Sequence, residues 1–190
     1  MHVATTFDPA VRVRPLSRAE YDLLVEQGHF DGERVELLEG VLVEMPPMSD
    51  RHARAILLLD RWLQKGLPDR FAVRPQLPFA ASPHSEPEPD VSVTDFGPPI
   101  GDHPHAAYLA IEVTLSTHRT DLVVKARLYA ASGIPRYWVV DLKNRRLVEH
   151  TAPAGDTYTS IVAHPAEAVL TFEEVTIDVG ELLGPEDTPG

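Results

Sequence analysis

The chain contains no cysteine. That absence removes disulfides, thiolate zinc sites and cysteine nucleophiles together, and with them any need for an oxidising compartment. Long apolar runs are missing as well. No stretch approaches the ~20 residues needed to span a bilayer, and the opening MHVATTFDPAVRVRPL lacks the apolar segment of a signal peptide. The expectation is a cytoplasmic protein with no membrane partner. G-x-S-x-G, H-E-x-x-H, the phosphate-cradling G-x-x-x-x-G-K-[ST] and G-x-G-x-x-G are all absent, which leaves nucleophile-elbow, zincin and nucleotide-cradle readings without support. No helix-turn-helix, zinc-finger or aromatic RNA-binding signature is visible either. Positive charge is scarce: 17 Lys and Arg face 29 Asp and Glu, for a formal net charge of −12. At face value, so acidic a chain is poorly suited to gripping nucleic-acid phosphate.

What is present is an ordinary globular composition, 43% hydrophobic and 24% charged over 190 residues, enough for one domain with a real core. Proline outnumbers glycine 18 to 11. The prolines cluster at 46–48, 75–89, 97–99, 103–105 and in the last six residues, where they mark connections between elements. Ser17-Arg18-Ala19-Glu20 is a capping box that opens a short helix over 17–27. RVELLEGVLVEM reads as a hairpin turning at Glu39-Gly40. Ser49 caps a longer helix over 50–65, with Ile56, Leu59 and Leu63 at helical spacing. FAVRP (71–75) and DVSVT (90–94) read as strands, AYLAIEVTL (107–115) as a central strand, 118–132 as a helix and RYWVVDL (136–142) as another buried strand. The order implies an α/β (α+β) architecture: one mixed central β-sheet flanked by helices. The weaker alternating segments after residue 150 read as a peripheral C-terminal β extension. The chain thus divides into an N-terminal extension (1–16), a main unit (17–150) and an acidic extension of the same domain (151–190).

A charge on a solvent face says little, whereas one inside an apolar pattern costs several kcal/mol unless it is paired, protonated or metal-bound. The positions of that kind are Glu36, His52, Asp90, Glu112 and Lys125. A two-residue hairpin turn pairs Glu36 with Val43 and puts it on the face of Leu38. Glu112 interrupts AYLAIEVTL. If the strands on either side of the loop 96–107 pair antiparallel, Asp90 comes level with Glu112. Two carboxylates at that separation repel unless a proton or a cation lies between them, and such pairs build divalent-metal sites. Lys125 falls in line with Leu122 and Tyr129, and His52 lies one turn before Ile56, so both face inward.

Each has a structural reading too. Glu36 could pair with an arginine, His52 could be a hydrogen-bonded core histidine, Lys125 could snorkel, and Asp90 could serve a turn after proline. Glu112 resists that treatment, because an acid in the middle of an apolar strand is rare. Three acids and a lysine converging on one sheet face point to a site. His103, His105 and His118 offer zinc-binding nitrogens, but the first two flank a proline in a loop, and they are set aside.

Together, ELLEGVLVEM, a histidine one turn into the next helix, PEPDVSV, AIEVTLST, the D-x-x-x-K-x-x-x-Y of Asp121, Lys125 and Tyr129, and SGIPRYWVVDL resemble the Uma-type family of bacterial restriction-endonuclease homologues. That family is a branch of the PD-(D/E)XK nuclease superfamily. The resemblance covers about residues 15 to 150. It implies a restriction-endonuclease-like core in which Asp90 and Glu112 match the motif acids, Glu36 the family's E-L-x-x-G glutamate, and His52 its helix histidine. Thr114 stands where the superfamily shows a lysine, and Lys125 on the next helix takes its place. The implied activity is a Mg²⁺- or Mn²⁺-dependent endonuclease acting on nucleic acid, DNA rather than RNA, with Asp90, Glu112 and Glu36 as metal ligands, Lys125 and His52 as further catalytic residues, and a homodimer as the acting form. The alternative is a catalytically inactive module of the same fold that binds DNA or protein.

The charge then reads differently. Residues 150–190 hold eight acids and no lysine or arginine. Residues 50–75 hold six bases against three acids, and 113–148 seven against two. The expectation is a basic flank beside an acidic metal pocket, with the extension turned away from DNA.

Overall fold

The structure, a computed structural model, describes residues 12–97, 101–115 and 120–185, with the side chains of residues 120–122 excepted. The elements are α1 (Arg18–Glu26), β1 (Val35–Leu38), β2 (Val41–Glu44), α2 (Asp50–Gly66), β3 (Phe71–Pro75), β4 (Val91–Asp95), β5 (Leu109–Thr114), a π-helical turn (Thr120–Lys125) running into α3 (Ala126–Ala131), β6 (Arg136–Asp141), β7 (Arg146–Ala154), β8 (Thr157–Pro165), β9 (Val169–Phe172), β10 (Val175–Asp178) and α4 (Val179–Leu183).

Local chemistry explains the boundaries. Ser17 caps α1 in a reciprocal capping box with Glu20, and the Ser49 hydroxyl accepts the His52 N–H at the start of α2. The β1–β2 turn needs left-handed backbone at both central residues, Glu39 (φ 50°) and Gly40 (φ 80°), and any Cβ at Gly40 would run into Pro15.

A six-stranded sheet in the order β3-β4-β5-β6-β7-β8 forms the centre. All its neighbours are antiparallel except β5 and β6, which are parallel and therefore need a crossover, supplied by the π-helical turn and α3. Every residue of β5 is buried. On one face, Ile111, Val113, Trp138 and Val140 pack with Ile56, Leu59 and Leu63 of α2 and with β9, β10 and α4. On the other, Ala110, Tyr137 and Val139 pack with Tyr129 and Ala130 of α3. This is the mixed sheet with flanking helices that the pattern predicts.

The segments after residue 150 are less peripheral than their weak alternation suggests. β7 carries the chain through residue 150, β8 adds the last strand of the sheet, and Leu170, Phe172, Ile177 and Leu182 enter the main core. Nor does the acidic segment stand apart from the basic ones. Arg54 donates to the Glu181 carbonyl at 2.9 Å, Arg145 to the Gly184 carbonyl at 3.0 Å and Arg136 to the Thr171 carbonyl at 3.1 Å. Cations at the end of α4 satisfy its last carbonyls and oppose its dipole, so part of the expected basic flank is covered by the chain's own C-terminal segment. The expectations for residues 1–11, His118 and the side chain of Asp121 lie outside the described residues.

Candidate active site

Asp90 stands immediately before β4, whose register on β5 pairs Val91 with Ile111; continued by one residue, it brings Asp90 level with Glu112. Both are buried. The Asp90 carboxylate accepts the Val113 N–H at 2.7 Å, which ties it to the end of the very strand that carries Glu112.

The cation of the cluster comes from the crossover. Lys125 ends the π-helical turn, a winding found disproportionately at functional positions, and is only 3% exposed. Its Nζ lies 3.0 Å from Glu112 Oε1 and 3.1 Å from Glu36 Oε2. Two buried carboxylates thus share one buried ammonium, an arrangement in which mutual attraction offsets the loss of water. Glu36 Oε2 also accepts the Glu88 N–H at 3.0 Å, and Glu112 Oε1 the Tyr129 hydroxyl at 2.7 Å. Complete burial, then the charges of Glu112 and Glu36, push the Tyr129 phenol well above its ordinary range. The hydroxyl therefore stays protonated and keeps donating.

His52 reaches the cluster from α2. Its Nε2 lies 2.9 Å from Asp90 Oδ2, yet off the line a hydrogen bond requires, so this buried ring nitrogen has contact without a hydrogen-bond partner. The two atoms are near enough for one cation to draw on both. Paired carboxylates are a donor set fit for Mg²⁺ or Mn²⁺, and Mg²⁺ needs only one or two protein carboxylates because it keeps several waters. Thr114, two residues after Glu112, is buried, and Lys125 supplies the ammonium beside Glu112 from the neighbouring helix.

The structure brings all of the sequence-predicted residues into one neighbourhood but not to one point. Among the described residues, Asp90, Glu112 and Glu36 do not form a trio with ligand atoms within 4.8 Å of one another, whereas Asp22, Glu86 and His103 do. Glu36 and Glu112 are turned toward Lys125, and Asp90 toward Val113 and His52. Tyr129, present in the D-x-x-x-K-x-x-x-Y pattern but given no role by the sequence, proves to donate to Glu112; its place four residues after Lys125 on the same stripe is the signal for that contact. A cavity of about 190 Å³ opens beside Tyr21, Phe30, Arg34 and Glu88. It is not lined by Asp90, Glu112 or Lys125, so the buried ionic contacts, not concavity, define the site.

The site is thus built on a mixed sheet with a parallel central pair, with acids on adjacent segments of the sheet and a lysine on the crossover. A crystal structure described as that of a putative nuclease belonging to DUF820, from Anabaena variabilis, superimposes with a TM-score of 0.72 at 16% identity, over 89% of this chain and 98% of that one. The family model described as "Uma2: Putative restriction endonuclease" matches residues 18–180, and the chain belongs to that family. No curated protein matches it. Among the described residues, no helix is long and apolar enough to cross a membrane.

Proposed function

We propose that this protein is a Mg²⁺- or Mn²⁺-dependent endonuclease that hydrolyses phosphodiester bonds of DNA. The observation that carries the proposal is the Lys125 ammonium held between Glu112 and Glu36 beside Asp90. Asp90 and Glu112 would hold the ion, with Glu36 as a further ligand or a base that positions water. Bound there, the ion lowers the pKa of a water and offsets charge on the phosphate. Lys125, 3.0 Å from Glu112, would orient the nucleophile or stabilise negative charge developing on the phosphate. Tyr129 fixes the rotamer of Glu112, and the Val113 N–H fixes that of Asp90, so the acids are set before substrate arrives. His52 packs against Asp90 and limits its movement. A homodimer placing two such sites on opposite strands is the form suited to double-strand cleavage, and DNA is the favoured substrate over RNA.

The test is nicking of supercoiled plasmid with Mg²⁺ or Mn²⁺, comparing wild type with Asp90→Ala and Lys125→Ala, each checked for cooperative melting. Metal-dependent nicking lost in both variants supports the reading. Absence of cutting by wild type, or equal cutting by the variants, overturns it. Thr114 at the superfamily's lysine position is the one feature that favours an inactive DNA-binding module, which retains DNA without metal.

A further inference from the structure

A second group of potential ligands lies away from the acids of the candidate active site. Asp22 projects from α1, Glu86 from the extended segment between β3 and β4, and His103 from the loop before β5, and one ligand atom from each lies within 4.8 Å of the others. Glu86 is 3% exposed, and its buried Oε2 accepts no hydrogen bond. The nitrogens facing it stand too far off to donate: Arg18 Nη1 is 3.7 Å from Oε2, and His103 Nε2 is 3.6 Å from Oε1. Arg18 is already engaged at 2.7 Å by Asp102, so its charge is largely spent on that partner. A buried carboxylate oxygen without a donor costs about 1–3 kcal/mol or more, and the surrounding backbone gives it no relief: the Glu86 N–H and C=O are used in the bridge to Leu37.

We propose that Asp22, Glu86 and His103 form a second divalent-cation site, separate from the Asp90–Glu112 acids, that takes a nitrogen-accepting transition ion of the Zn²⁺ or Mn²⁺ class and staples α1, the 82–88 segment and the 101–105 loop together. Two carboxylates balance the charge of one divalent ion, and the imidazole selects against Mg²⁺ and Ca²⁺. Bonds of about 2.0–2.2 Å are reached from the present separation by small rotations of the His103 ring, whose side chain is 40% exposed and free to turn. Burial, with some opposition from the neighbouring charges, also holds the His103 pKa below its ordinary value, which leaves the ring neutral and able to ligate. Burial, and then the charge of Asp22, push Glu86 up to about 8 despite the neighbouring Arg18.

The staple is tested by calorimetric titration of chelator-treated full-length protein with Zn²⁺, then Mn²⁺. The parent is a Glu36→Gln/Asp90→Asn/Glu112→Gln triple variant, so that the acids of the candidate active site are removed and failure of the nuclease reading leaves this result unaffected. One ion per chain is expected, with affinity lost on adding Glu86→Gln, weakened about tenfold or more on adding His103→Ala, and an upward thermal shift with Zn²⁺ that both additions abolish. His103→Ala lies on the surface and carries the test if Glu86→Gln fails to fold. No binding by the parent, or equal binding after His103→Ala, overturns the proposal.

Discussion

The two acidic clusters, one wholly buried and one buried only at Glu86, meet the same electrostatic problem in different ways. Glu36 and Glu112 face a lysine ammonium at 3.1 and 3.0 Å, whereas Glu86 faces Asp22 and has Arg18, already engaged by Asp102, at 3.7 Å. In the first, the counter-charge is part of the chain, donated by the crossover helix, and the acids remain organised without help. In the second, a proton or an external ion must supply it. Desolvating an acid is expensive in both places; what differs is whether the fold delivers an ammonium within contact.

Removing the lysine breaks the comparison at its strongest point. Lys125→Met leaves two buried carboxylates uncompensated and is expected to cost about 3–5 kcal/mol, read from urea unfolding. Adding Glu36→Gln and Glu112→Gln should recover most of that loss, since the destabilisation comes from unpaired charge and not from lost volume. A loss below ~1 kcal/mol for Lys125→Met would mean that the triad is not held as an ionic unit.

A smaller effect is expected at Tyr129. Tyr129→Phe keeps the ring contacts with Phe79 and Tyr137 but removes the 2.7 Å donor to Glu112, for about 1.5–3 kcal/mol in denaturant melts. His52→Ala acts on the ion and not on the triad. It should weaken Mn²⁺ binding by about 10–100-fold at the Asp90 site while Lys125-dependent stability stays unchanged, a separation that calorimetry and melting together would show.

The least effect concerns the second cluster. Glu86 titrates at about 8 in the folded chain against 4.5 ordinarily. Between those values the folded state holds a proton that the unfolded state has released, so stability falls as pH rises through that window. In chelator-treated protein the melting temperature should decline from pH 5 to 8.5, and Glu86→Gln should flatten the slope. A wild-type curve already flat would show that the cluster carries no retained proton.

Much of this was written in local sequence. The capping box at Ser17–Glu20, the Glu39-Gly40 turn and the apolar spacing of Ile56, Leu59 and Leu63 specify their elements within a few residues of chain, because hydrogen bonds and periodic burial there are short-range. The register that sets Asp90 level with Glu112 followed from antiparallel pairing of the strands flanking the loop after β4. His103 shows where such reasoning stops. Flanked by Pro104 in a loop, it has no periodic signal, and its meeting with Asp22 and Glu86 joins three segments separated by some 80 residues of chain. The C-terminal strands are harder to place for a related reason: β9 and β10 bury one side each, and the core partners that cover that side come from α2 and β6, far away in the chain.

By itself, then, the sequence determined the elements, the mixed sheet, and the identity of the acids and lysine that cannot be left bare in an apolar pattern. Tertiary structure decided which charge answers which. Lys125 settles between Glu36 and Glu112 while Asp90 turns to Val113 and His52, the C-terminal segment takes up three of the arginines expected to face DNA, and Glu86 is left facing a neighbouring acid. Those outcomes depend on distances between remote segments, and Coulomb energy in a buried site changes steeply with distance, whereas the local pattern records only which residues must find a partner.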